Sequence, residues 1–143
     1  MASVGTAPVW LEWTVAFGPA AVRERVSTAA DLAGYATDLE LVYGHLPDRD
    51  WLEQGEPVSY PDLAAAAADR IGSGVDLVVT ATPVPDCQAR ILPGCLLAHR
   101  LGGRPLLLGV TDQGAATAFT ALRLAAGRIR SGAAQRAAVV VME

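Results

Sequence analysis

The stretch from Arg104 to Met142, RPLLLGVTDQGAATAFTALRLAAGRIRSGAAQRAAVVVM, decides how the chain is read. Arg104 to Val110 is an apolar run that reads as a strand. Asp112-Gln113-Gly114 makes a tight turn. A helix is predicted over Ala115 to Arg130, where Phe119, Leu122, Ala126 and Ile129 recur every three or four residues. Gly132 suits the C-terminal cap, and Ala137 to Met142 is a second apolar strand. Strand, helix and strand in this order describe a parallel crossover.

Working upstream, the same alternation repeats. Ile91 to Leu101 reads as a helix stopped by Gly102-Gly103, behind a proline-rich loop from Thr82 to Asp86. Val75 to Thr80 is another strand, this one expected to be buried on both faces. Ser59 is a predicted N-cap with acidic Asp62 in the first turn, and the helix runs from Leu63 to Ile71, ended by Gly72. Gly44 to Pro57 reads as a loop. Leu39 to Tyr43 reads as a short strand, and Ala29 to Ala36 as a short helix capped by Ser27 or Thr28. Val9 to Phe17, rich in aromatic and branched residues, reads as a strand closed by Gly18-Pro19. The expectation is an α/β fold, a mainly parallel sheet with helices on both faces.

Composition narrows the function classes. The 143 residues fit one domain, 1–143. The chain is 52% hydrophobic and 18% charged, against about 25% charged in an average domain, so apolar surface is expected to remain for a partner. The formal net charge is -4 and all 11 cations are arginine. No basic run stands out, so a nucleic-acid surface is not expected. No signal peptide or spanning segment is read, and the cytoplasm is the expected location. Cys87 and Cys95 are too few for a zinc site or a disulfide framework. Neither a metal nor a cofactor is expected.

Four segments carry a resemblance. They are VDLVVTATP (Val75 to Pro83), PGCLLAHRLG (Pro93 to Gly102), ALRLAAGRIRSG (Ala121 to Gly132) and VVVME (Val139 to Glu143). In this order they resemble the N-terminal half of the β-ketoacyl-ACP synthase III family, a thiolase-like fold. Val26 to Leu32 adds a weaker likeness to that family's early capped helix. The resemblance covers about half the chain and implies one incomplete half of a thiolase-like fold.

It also implies where chemistry would sit. The family places a cysteine at a sharp strand-to-helix turn, where a helix N-terminus lowers the thiol pKa and backbone N–H groups help to hold an oxyanion. Counting back from Arg130-Ser131-Gly132 puts Ala115 at that position, behind the turn Asp112-Gln113-Gly114. The family's catalytic His and Asn come from its second half, and this chain has no asparagine. Its two histidines, His45 and His99, read as solvated or structural.

Other candidates are weaker. Cys87 lies in the proline-rich loop, which the resemblance places near the active-site entrance. Cys95 reads as a buried small hydrophobe. Thr111 and Thr117 flank the turn but need a general base, and Asp112 reads as a helix cap. Trp51 and Arg49 occupy a region comparable to the family's CoA-binding loop without its Gly-Ile-Arg pattern.

The resemblance therefore implies a ketosynthase III-like subunit without the catalytic cysteine. It would form a homo- or hetero-oligomer through the strand Arg104 to Val110, with a second ketosynthase-type chain or the missing half-fold. Acyl carrier protein or acyl-CoA would be its ligands. Two alternatives stand beside this. One is an active acyltransferase whose nucleophile comes from a partner chain or from Cys87. The other is an unrelated α/β domain binding a small ligand, with an anion at the Asp112-Gln113-Gly114 turn.

Overall fold

A computed structural model describes residues 8–23, 25, 28–44, 58–83, 86 and 90–143, without the side chains of residues 29, 32 and 43. His45, Arg49, Trp51 and Cys87 lie outside the described residues. The helices are α1 (Ala29–Tyr43), α2 (Tyr60–Ile71), α3 (Pro93–Leu101) and α4 (Ala116–Arg130). The strands are β1 (Leu77–Thr82), β2 (Leu106–Thr111) and β3 (Ala137–Val141). They form a parallel sheet in the order β2-β1-β3. The α/β class and the parallel, two-sided sheet expected from the sequence are thus observed.

The apolar run read as a doubly covered strand is the centre of this sheet. Every residue of β1 is buried, and its alternate side chains divide between two cores. Val78 faces α2 and α3, with Ala64, Ala67, Leu97, Val140 and Met142. Leu77, Val79 and Ala81 face α4, with Val110, Ala121, Ala125 and Ala134. Leu77, Val78, Val79 and Leu97 are wholly buried, and each such side chain is worth about 1.5–3 kcal/mol.

Local signals set the helix ends. Ser59 and Asp62 form a capping box at the start of α2: Asp62 N–H donates to Ser59 Oγ, and Ser59 N–H donates to Asp62 Oδ2 at 3.0 Å. Both residues are fully buried. Pro93 opens α3, where its missing N–H costs nothing. Past α4, Ala133 N–H returns to Arg128 O and Gly132 to Ile129 O, with Gly132 at φ 75°. The cap itself is Ser131, and the predicted glycine stands one residue beyond it.

Three sequence expectations are corrected. Val9 to Phe17 forms no strand. Trp10 is 80% exposed and Leu11 74%, and among the described residues no strand pairs with this segment. Phe17 instead packs against the core below Arg70, whose Cζ stands 4.4 Å from the ring centroid. Leu39 to Tyr43 is helical: the Thr28–Asp31 capping box starts α1, and it runs on to Gly44, left-handed at φ 75°. On α4 the buried stripe is Thr117, Ala121 and Ala125, whereas Phe119 is 69% exposed and Leu122 49%. Small side chains let α4 lie close on the sheet, which turns its largest apolar residues outward.

Asp76 ties the N-terminal ends of the strands together. Its carboxylate accepts from Gln135 N–H at 2.8 Å and Arg136 N–H at 3.0 Å, while its carbonyl accepts from Leu106 N–H at 2.8 Å. Arg136 in turn meets Glu12 at 3.0 Å and Ser73 O at 3.3 Å, which pins the N-terminal segment to this end.

Candidate functional site

In open α/β sheets, ligands are bound beyond the carboxyl ends of the strands. Here that edge carries Thr82 of β1 and the turn from Thr111 to Ala115. Asp112 has φ 58°, and it is the only non-glycine with positive φ among the described residues. Asp is one of the few side chains that tolerate this region. Gly114 follows at φ 52°. The two reverse the chain from β2 into α4 within three residues.

Hydroxyl groups brace this turn. Thr111 Oγ1 donates to Asp112 Oδ2, Thr117 Oγ1 to Gly114 O, and Thr120 Oγ1 to Gln113 Oε1, each at 2.7 Å. Asp112 does not cap the helix as expected; its carboxylate is turned back to Thr111 by the left-handed backbone. The N-cap of α4 is Ala115, with no side-chain cap bond. Ala116 N–H and Thr117 N–H donate to Gln113 O and Gly114 O at 3.1 Å, so these two N–H groups are held within the turn.

The position read as the nucleophile's is therefore an exposed helix N-cap bearing only a methyl group. Thr117 is buried and its hydroxyl is committed to Gly114. His99 lies in the last turn of α3, at the opposite end of the sheet from Ala115, and cannot act there. Cys95 is exposed on the first turn of α3, contrary to the buried reading. Its neighbours Gly94 and Leu97 take the core-facing positions of that short helix. Neither His99 nor Cys95 is thus placed at Ala115; the hydroxyl and carboxylate that meet at the turn are those of Thr111 and Asp112. Among the described residues, no group of three or more His, Cys, Asp or Glu side chains could hold a metal ion. No helix among them is long and apolar enough to cross a membrane.

The structure adds features that the sequence did not signal. Asp86 Oδ1 accepts from Tyr60 N–H at 3.1 Å, placing a second carboxylate at the start of α2 beside Asp62. Only a contact across 26 residues creates this, so no local motif could announce it. An open cleft of about 430 Å³, lined by Ser73, Asp76, Leu101 and Arg104 among others, lies at the opposite end of the sheet. The Asp76 carboxyl there is held below its ordinary value of 3.8 by the N–H groups of Gln135 and Arg136, against a smaller opposing effect of burial. Both bonds go to Asp76 Oδ2 and join this end of the sheet to the residues just before β3.

Compared with protein-family models, with characterised proteins and with solved structures, the chain matches none.

Proposed function

We propose that the chain is a ketosynthase III-like subunit without the catalytic cysteine, one half of a thiolase-like fold. Its role is to pair with another ketosynthase-type chain, or with a chain carrying the other half-fold, in acyl-thioester metabolism. The observation that supports this reading is the turn from β2 into α4. A parallel strand enters a left-handed Asp112 and leaves through an uncapped, exposed helix N-terminus at Ala115. A cysteine at Ala115 would have the helix dipole to favour its thiolate. The methyl group found there leaves the turn without chemistry, and acyl carrier protein or acyl-CoA is bound without being attacked.

Intact-mass spectrometry of the full chain incubated with acyl-CoA tests this. The wild type is expected to remain unacylated. Ala115→Cys is expected to gain one acyl group: the introduced thiolate attacks the thioester carbonyl, expels the CoA thiolate, and that thiolate takes a proton from solvent. A folded Ala115→Cys variant that stays unmodified would sink the elbow assignment. Acylation of the wild type would overturn the non-catalytic reading, and peptide mapping would then show whether Cys87 is the nucleophile.

A further inference from the structure

Two helices are left with bare faces. No described residue of α1 is buried, and none belongs to either core. A helix of 15 residues is marginal when it stands alone in water. Its most open stripe is Ala30, Gly34, Asp38 and Leu41, at helical spacing, and Leu41 is 83% exposed. On α4 the stripe opposite the buried one is Phe119, Arg123, Ala126 and Arg130, at matching spacing.

The charges on these two helices are complementary. α1 carries Asp31, Asp38 and Glu40 and no basic residue. α4 carries Arg123, Arg128 and Arg130 and no acidic residue. Asp38, Arg123 and Arg130 make no hydrogen bond or ion pair among the described residues. Within one chain both stripes lie open at once, so each lacks what the other offers. We propose that two copies of this chain pair reciprocally, with α1 of each lying antiparallel on α4 of the other.

The order of residues sets the direction. Antiparallel, Leu41 meets Phe119, and the two most exposed apolar residues of these stripes cover one another. One turn along, Asp38 meets Arg123. A further turn brings Gly34 to Ala126, where small side chains let the helices approach closely. Leu41 to Gly34 and Phe119 to Ala126 each span about 10.5 Å of helix rise, so the pairs stay in step. Parallel packing would set Ala30 against Phe119 and Leu41 against Arg130, and both the apolar pair and the ion pair are lost. Two equivalent contacts about a two-fold axis close a dimer. The surface is the outer face of α4 rather than the edge of β2, and it does not depend on the functional reading above, which the acylation of Ala115→Cys decides separately.

Sedimentation equilibrium of the full chain, with a mixing experiment, tests this. The wild type is expected to be a dimer. Asp38→Arg and Arg123→Glu each set like charges together at both contacts, and each is expected to raise the dimer dissociation constant at least about tenfold. Both positions are exposed, and circular dichroism confirms that the variants are folded. Mixed in equal amounts, the two variants are expected to regain a dimer close to wild-type strength, because every contact between unlike copies then joins an acid to an arginine. A contact within one chain could not be rescued by mixing. Phe119→Ser is expected to weaken the dimer without touching a charge. A monomeric wild type, a dimer indifferent to these charges, or a mixture as weak as its components overturns the proposal.

Discussion

Gly94 of α3 and Leu107 of β2 approach so closely that a Cβ on Gly94 would stand 2.7 Å from Leu107 Cδ1 and 3.2 Å from Thr80 Oγ1. The first turn of α3 therefore lies directly on the sheet. Gly94→Ala has a partial escape, because the far end of the half-buried Leu107 can turn aside. Gly94→Val does not, and it is expected to cost about 1–3 kcal/mol through overpacking. Urea unfolding checks this, and adding Leu107→Ala should return part of the loss. A Gly94→Val protein as stable as the wild type would show that α3 sits further from β2.

The contact also shows what the sequence could and could not announce. β1, α2, α3, β2, α4 and β3 were legible because their signals are local: unbroken apolar runs, a Ser–Asp cap, prolines and glycines at the ends. The strand read at Val9 to Phe17 failed because residue type alone cannot supply a neighbour to pair with. The face of α4 was misread for a related reason. Periodicity ranks Phe119 and Leu122 by size, whereas a helix lying close on a sheet needs alanine at the contact, as Ala121 and Ala125 provide. At the candidate site the turn at Asp112 to Gly114 was legible. The bond from Thr120 to Gln113 and the commitment of Asp112 to Thr111 depend on a left-handed backbone that no residue pattern specifies.

The two capping boxes offer a controlled comparison. Ser59–Asp62 is buried and Thr28–Asp31 is exposed, with the same pattern of bonds in each. Water can replace a lost cap bond on α1 but not on α2. Ser59→Ala is expected to cost about 1–2 kcal/mol, and Thr28→Ala about 0.5 kcal/mol or less of global stability. Chemical denaturation of the two variants at one pH measures the difference. Equal losses would mean that α1 is as firmly part of the cooperative unit as α2.

Acid should loosen the joint at Asp76. Its carboxyl is held below 3.8 by the Gln135 and Arg136 N–H groups, so the folded state binds this proton less readily than the unfolded chain does. That contribution is fully present above the unfolded value and is lost as pH falls through the lower folded one. Asp76→Asn removes the titrating group. The stability gap between wild type and Asp76→Asn is expected to be constant near neutrality and to shrink below about pH 4. Melting temperatures across that range measure it; a gap that widens in acid would contradict the sign of the shift.

Asp112 holds the turn into α4 at a conformational cost. A left-handed backbone is unfavourable by about 1–2 kcal/mol for an ordinary L-residue and nearly free for glycine. Asp112→Gly gives up the bond from Thr111 Oγ1 but relieves the backbone, so its stability is expected to match or exceed that of the wild type. Asp112→Val gives up the same bond and keeps the strain with a branched side chain, so it is expected to fall below Asp112→Gly by about 1–2 kcal/mol. Equal stabilities of the glycine and valine variants would mean that the turn relaxes when Asp112 is replaced. The sharp entry to Ala115 would then depend on the aspartate rather than on the chain around it.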